Sequence, residues 1–424
     1  MIKLKSISKP QFLFRRISRQ LWVRTSLIAA LAVVSAGVGT YMGSLVPDFL
    51  VQRLSTEAVA KILGILASSM LAVTTFSLSI MVAAQRWASN QSSPRAQQVI
   101  EEDSVSQNVL ATFLGAFIFA LVSLILIETN VYTQQSIAVA LAFTLAVIFL
   151  VTLALLVWID QLPGYGSISE TAQKIEKNAA DTMARAIELP CLGAIPYQSE
   201  TAIPQAGHDV CASSTGNVRH IDVGMLNACA EENDCEIWIL ALPGQFVAEG
   251  EPLAKTTRKM DSSTIREAFV IGTERNFDQD PRFGVQTLSE IAQRALSPGV
   301  NDPMTAVQMV ESLLRVLLPL GTTSPQTKEP RFPRVHAPEI PIEVFLRDAY
   351  AAISRDAGNK VEVHEAVLDA LARLALRQNP SMATSARAAA KQALSIAERD
   401  LTLEADKLRV REIASRSFSG HAVS

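Results

Sequence analysis

Four stretches of this chain contain no aspartate, glutamate, lysine, arginine or histidine: residues 25–47, 62–85, 104–127 and 129–159. Each is at least as long as the ~20 residues that a helix needs to cross the hydrocarbon core of a bilayer. The shortage is local. Charged residues are 19% of the whole chain, and beyond Asp160 the composition becomes that of a soluble protein. Proton relays and buried counter-ions of coupled transporters need an ionisable group at membrane depth. None of the four stretches has one, so any transport would have to be channel-like.

Other scarcities narrow the function further. The net charge of −3 gives no basic excess, so nucleic acid is not expected as a partner. The chain has four cysteines, Cys191, Cys211, Cys229 and Cys235. All fall in a part expected to be cytoplasmic, where thiols stay reduced. No Cys-x2-Cys pair accompanies them or His208, so a zinc site is not expected. There is no Walker loop, no Rossmann glycine fingerprint and no Gly-x-Ser-x-Gly elbow. No enzyme activity and no cofactor are expected.

What is present is an asymmetric distribution of positive charge. Lys3, Lys5, Lys9, Arg15, Arg16, Arg19 and Arg24 precede the first apolar stretch, whereas the next loop carries only Arg53 and Lys61. The positive-inside rule puts the basic end in the cytoplasm and returns the chain there after the fourth span. A cleaved signal peptide would have a shorter apolar core, of ~7–15 residues. The expected location is the bacterial inner membrane, multi-pass, with both termini cytoplasmic.

The chain then divides as follows. Residues 1–24 are a basic cytoplasmic segment. Residues 25–159 are a four-helix transmembrane domain, with spans at about 25–47, 62–85, 107–127 and 136–159. Residues 160–206 are a neck helix and connector, with helical periodicity over Ile168–Glu188. Residues 207–260 form a small β-module, with extended Asn217–Ile221, a helix capped by Asp222, a buried strand at Glu236–Leu242, and turns at Pro243-Gly244 and Glu249-Gly250. Residues 261–321 are helical, residues 322–341 are a Pro-rich linker, and residues 342–424 are C-terminal helices, including one expected over Ser381–Arg409. The fold class is thus membrane α-helical with a cytoplasmic α+β C-terminal region containing a small β-module and a helical end.

Several places could carry function. In the second span, Ser68, Ala72, Thr75 and Ser79 follow helical spacing and make a small, hydroxyl-bearing stripe. It could line a watery path, or simply let helices pack closely. Gly39 and Gly43 make span one a natural neighbour for it, while spans three (Phe113, Phe117, Phe119) and four look lipid-facing. Arg86 and Arg95, just beyond the second span, could meet lipid head groups. Arg282, Ser297, Asn301 and Asp302 could belong to a cytoplasmic ligand or interface loop, in a region also dense in Arg275, Asp278 and Asp280. The same loop has a structural account, because Pro298-Gly299 ends one helix and Asn301 or Asp302 caps the next. The Gly-x-x-Val-x-x-Gly-x-x-Leu spacing from Gly244 to Leu253 resembles the turn of biotinyl/lipoyl-type β-domains. Lys259 lacks the usual context of a modified lysine there.

Taken together, the chain resembles the bacterial family of predicted membrane proteins called domain of unknown function 2254. The segments that carry the resemblance are the hydroxyl-rich second span with Ser93-Pro94-Arg95 and the turn from Pro243 to Leu253. A third is Phe283-Gly284 leading to the run from Ala295 through Ser297-Pro298-Gly299-Val300-Asn301-Asp302-Pro303 to Ala306. Residues 88–91 depart from the apolar approach expected before Ser92. The resemblance implies a four-helix inner-membrane protein with a cytoplasmic C-terminal region and implies no activity. The expected partners are membrane lipids, further copies of the chain in a homo-oligomer, and a cytoplasmic protein or small ligand. The functional expectation is a homo-oligomeric, channel-like permeation protein. The alternative is a non-transporting scaffold or sensor.

Overall fold

The structure is a computed structural model, and it describes residues 25–28, 30–31, 33–34, 38, 55–91, 95, 104–129, 131, 134–162, 167–198, 203–322 and 329–418. The chain separates into two compact units. One holds most of residues 12–170, and the other comprises residues 171–424 with two short pieces of the N-terminal part.

The first unit contains α1 (Thr56–Gln91), α2 (Ser104–Glu128) and α3 (Gln134–Gln161). These are long because their sequences lack proline and are nearly free of charge. α2 buries Val109, Phe113, Ala116 and Ala120, and α3 buries Ile137, Ala140, Thr144, Val147, Val151 and Trp158. This alternating spacing of three and four residues presents one continuous seam per helix. Thr144 sits in the seam at no polar cost, because its hydroxyl donates to the Ala140 carbonyl at 2.7 Å. Phe113 and Phe119 have no exposed surface, which corrects the expectation of a lipid-facing third span. A uniformly apolar helix does not declare in its sequence which side meets protein. Span one lies largely outside the described residues, including Gly39 and Gly43. Its described part touches α2, where a Cβ on Gly115 would stand 2.6 Å from that of Ile28.

By length and composition, four helices among the described residues could cross a membrane: α1, α2, α3 and Pro303–Thr322. The last of these is a different kind of helix. It carries Glu311 and Arg315, and it buries Ala306, Met309, Val310, Leu313, Val316 and Leu317 along one stripe. Its arginine makes a two-pronged bond to Glu176, at 2.6 and 2.9 Å. It is a packed amphipathic helix of the second unit.

The second unit begins with α4 (Ile168–Glu188) and contains two sheets. One sheet has the strand order β1 (Ala194–Tyr197), β8 (Phe332–Pro338), β4 (Ile237–Ile239), β6 (Pro252–Thr256), β2 (His208–Cys211). The β1–β8 and β8–β4 pairs are parallel, and the other two pairs are antiparallel. The smaller antiparallel sheet sets β3 (Gly216–Ile221) between β5 (Phe246–Val247) and β7 (Phe269–Gly272). α5 (Val223–Glu232) and α6 (Ser262–Glu267) join the sheets' core. Gly244 and Gly250 both have φ of +88°, and Val247 and Leu253 are buried, as the glycine spacing requires.

The sheets correct two boundaries. The stretch 207–260 is not a self-contained module, because β1, β7 and β8 lie outside it. The expected linker 322–341 contains β8, an interior strand. Pro333 and Pro338 disguise it, since proline argues against a central strand. They are tolerated because one lies in the register shift between Ala194 and Ile195 and the other is the last residue of the strand.

The remaining helices are α7 (Pro281–Leu296), α8 (Pro303–Thr322), α9 (Ile342–Leu346), a π-helical turn (Arg347–Ala351), α10 (Ala352–Asp356), α11 (Val361–Ala375), α12 (Pro380–Asp400) and α13 (Glu404–Phe418). The single helix expected over Ser381–Arg409 is two helices, because Leu401 turns extended (φ −76°, ψ 135°) and buries its side chain. α4 is no free neck either. A Cβ on Gly284 of α7 would collide with Ala179, so glycine is what lets these helices approach.

His364 of α11 is buried and bonds the Gly358 carbonyl at 2.9 Å. Burial holds its imidazole below the ordinary value, against the pull of that carbonyl and of Asp400 and Glu362. The folded value is the depressed one, so the neutral ring contributes stability that is fully present above the unfolded value of about 6.5 and is lost as pH falls through the folded value. The thermal midpoint of the second unit should drop between about pH 7.5 and 5.5, and His364→Gln should flatten that drop. Trp238, the unit's one tryptophan, supplies the fluorescence readout. A wild-type midpoint flat across this window would contradict the assignment.

Candidate functional site

Ser68, Thr75 and Ser79 lie on the exposed side of α1, among Leu71, Ala72, Phe76, Leu78 and Val82. The buried side carries Val59, Leu63, Leu66, Ala67 and Met70 instead. The stripe therefore does not pack inside the described part of the protomer, and a side chain at Gly64, one turn away, would meet open space. Each hydroxyl donates to its own helix: Ser68 to the Ile65 carbonyl at 3.1 Å, Thr75 to Leu71 at 2.8 Å and Ser79 to Thr75 at 2.9 Å. That satisfies the proton and leaves the oxygen lone pairs outward, available to water or a partner helix.

The two candidate arginines differ, Arg86 lying in the last turns of α1 and Arg95 beyond it. Arg86 is exposed. Arg95 is paired with the Glu290 carboxylate of α7, so its guanidinium already has a protein partner, which counts against a role at lipid head groups.

Arg282 and the loop Ser297–Asp302 do not form one site. They stand at opposite ends of α7, a helix of 16 residues and therefore roughly 24 Å long. At the far end Ser297 and Asp302 bond within a few residues of themselves. Ser297 Oγ donates to the Arg294 carbonyl at 2.7 Å, Asn301 takes φ +50°, and Asp302 caps α8 by accepting from the Thr305 amide and hydroxyl at 3.1 and 2.6 Å. This end is a helix-to-helix corner.

The near end holds a polar cluster that the sequence indicated only as charge density. Asp280 caps α7, accepting from the amides of Arg282 and Phe283 at 3.1 and 3.2 Å, with proline next in the chain. Its side chain is 2% exposed and is held by Arg275 at 2.6 Å. Burial pushes the carboxyl upward, opposed by Arg275 and the capping amides. Arg275 also bonds Gln286 and lies over the Phe283 ring, 5.2 Å from its centre. Asp348 Oδ2 of the π turn accepts from Arg282 Nε at 2.7 Å and Gln286 Nε2 at 2.9 Å. Gln279 clamps Ile221 of β3 through both of its backbone groups, at 2.8 and 3.1 Å. A Cβ on Gly244 would collide with the Asp280 carboxylate. The Asp280 carboxylate thus joins the β-turn to α7, and Asp348 ties α7 to the C-terminal helices.

Among the described residues no three of His, Cys, Asp and Glu gather as a metal site. The four cysteines are free thiols. Cys191 is pushed up to about 11, mainly by burial and further by Glu339, which suppresses the nucleophilic thiolate near neutral pH.

Residues 18–373 match the family described as predicted membrane protein, DUF2254. The chain belongs to this family. An uncharacterized protein of Mycobacterium tuberculosis is 25% identical over 320 residues, covering 70% of this chain and 59% of that protein. An uncharacterized protein of Mycobacterium bovis is similar to the same extent. This DUF2254 chain thus spans less than two thirds of the length of the curated relatives it matches. No solved structure matches it. The family match covers α1 to α3, both sheets and the Asp280 cluster, and stops within α11.

Removing one partner of a buried ion pair strands the other charge. Arg275→Met is expected to cost the second unit about 3–5 kcal/mol, read from urea unfolding by Trp238 emission. Arg275→Met with Asp280→Asn should cost less than the single change, because the stranded charge is gone. A single-variant loss below about 1 kcal/mol would be that of a surface pair and would refute this assignment.

Proposed function

We propose that this DUF2254 protein is a multi-pass protein of the bacterial inner membrane and forms a homo-oligomeric, channel-like pathway in which α1 helices from several copies converge. The basic N-terminal segment and the unit beyond residue 160 face the cytoplasm, where that unit regulates the pathway. The observation that carries the reading is the exposed hydroxyl stripe of Ser68, Thr75 and Ser79. An outward row of oxygen lone pairs on an otherwise apolar helix is accommodated best by water or by another polar helix face. The absence of acidic, basic and histidine side chains from the four apolar stretches supports passive permeation over coupled transport. We assign the chain no catalytic role and no nucleic-acid partner.

A second reading is a non-transporting scaffold or sensor whose cytoplasmic unit binds a protein or small ligand. It is favoured by the size of that unit and by its separate, well-formed core.

Two measurements decide between them. Purified full-length protein in planar bilayers should conduct, and Ser79→Leu should lower the unitary conductance several-fold. Copies carrying Ser79→Cys should cross-link to one another on oxidation. Silence across varied ions and voltages, together with no cross-link, would leave the scaffold reading.

A further inference from the structure

The helix that carries the hydroxyl stripe does not stop where the first unit stops. α1 is helical from Thr56 to Gln91, and the division between the two units falls inside it, between Asn90 and Gln91. Ser79 lies roughly 18 Å from Gln91 along that helix. A displacement of the last turn therefore reaches the stripe through continuous hydrogen-bonded backbone.

Shortly beyond the end of α1 stands Arg95, whose guanidinium pairs with the Glu290 carboxylate of α7. The two residues are 195 positions apart in sequence, so the pair is a tertiary tie and not turn chemistry. Their side chains are 43% and 28% exposed. An ion pair of that exposure adds little to stability. It is strong enough to bias an equilibrium and weak enough to be broken.

α7 is the helix on which other ties meet. α4, the next helix after α3, packs against it through Ala179 and Gly284. Arg185 of α4 also donates to the Phe277 carbonyl, just before α7, at 3.1 Å. At the start of α7, Arg282 and Gln286 hold Asp348 of the π turn. The chain segments that follow α1 and α3 are thus both fastened at α7, and so are the C-terminal helices.

We propose that the Arg95–Glu290 pair couples the second unit to α1. A shift of α7 passes through the pair to the end of α1 and changes how far the hydroxyl stripe is open to water. The consequence for ion flow rests on the channel-like reading, whereas the coupling itself is a property of α1 and α7. Contiguous contacts alone do not establish coupling, and a charge-swap cycle measures it.

The test places Ser79→Cys in the full chain in lipid nanodiscs. Its alkylation by a water-soluble maleimide is followed at that peptide by mass spectrometry. Arg95→Glu and Glu290→Arg should each change the rate in the same direction by roughly two- to fivefold, the shift that a half-exposed ion pair supplies. The swapped pair, Arg95→Glu with Glu290→Arg, should return towards the parent rate. Arg95→Gln and Glu290→Gln, which bring no like charges together, should shift it in the same sense by less. Open probability in planar bilayers, measured without the cysteine, should follow the same order. The proposal is overturned if neither readout responds to the single variants, or if the swapped pair carries the sum of their effects. Silent bilayers with the alkylation pattern intact would end the channel reading and uphold the coupling. Conduction indifferent to every charge change would do the reverse.

Discussion

The second unit depends on one buried carboxylate. Asp280 completes the first turn of α7, neutralises Arg275 and occupies the space that Gly244 leaves by having no side chain. Three separate parts of the chain are therefore fixed by one group. The arrangement is specific because each partner supplies something the others cannot. The amides satisfy the helix end, the guanidinium compensates the charge, and the glycine permits both the positive φ and the close approach. Asp348 extends the network to the π turn through Arg282 and Gln286. A change at the carboxylate would be felt in sheet and helices alike, because buried polar networks tolerate no missing member.

The first unit obeys a different constraint. Its helices are apolar nearly all round, so hydrophobicity cannot say which faces meet. Packing is instead decided by shape: the seam of α2 and α3, the phenylalanines of α2, and the gap at Gly115 that admits Ile28. α1 is the exception. The hydroxyls of Ser68, Thr75 and Ser79 sit opposite its packed face, and a row of oxygens left on the outside of an apolar helix is what motivates the oligomeric reading. The Asp280 cluster and the α1 stripe thus hold polar groups in opposite ways: the first is buried and mutually bonded, whereas the second stays outside with only its protons bonded.

Much of this was legible from residue order alone. Four charge-free stretches, the caps at Asp222 and Asp302 and the positive φ of Gly244 and Gly250 follow from local chemistry: the two aspartates precede helices, and the glycines sit in tight turns. The family resemblance was also legible, since its motifs are contiguous. The candidate loop was only half legible. Ser297, Asn301 and Asp302 fell into a corner where Ser297 and Asp302 bond within a few residues, as their turn chemistry implies. Arg282 was grouped with them by nearness in sequence, and a rigid helix then carried it to the other end.

Residue order by itself determined where helices and turns occur, because those depend on neighbours within a few positions. Only the tertiary structure decided which partners they meet. β8 was hidden by its prolines until β1 and β4 flanked it, and the partners of Asp280 come from as far away as the turn at Gly244 and, through Arg282, Asp348. Tyr350 reads as an ordinary helical tyrosine until the surrounding helices leave its hydroxyl buried with no partner among the described residues. The physical reason is the same in each case: burial and pairing across long sequence separations are properties of packed surfaces, and no local pattern encodes which surface will arrive.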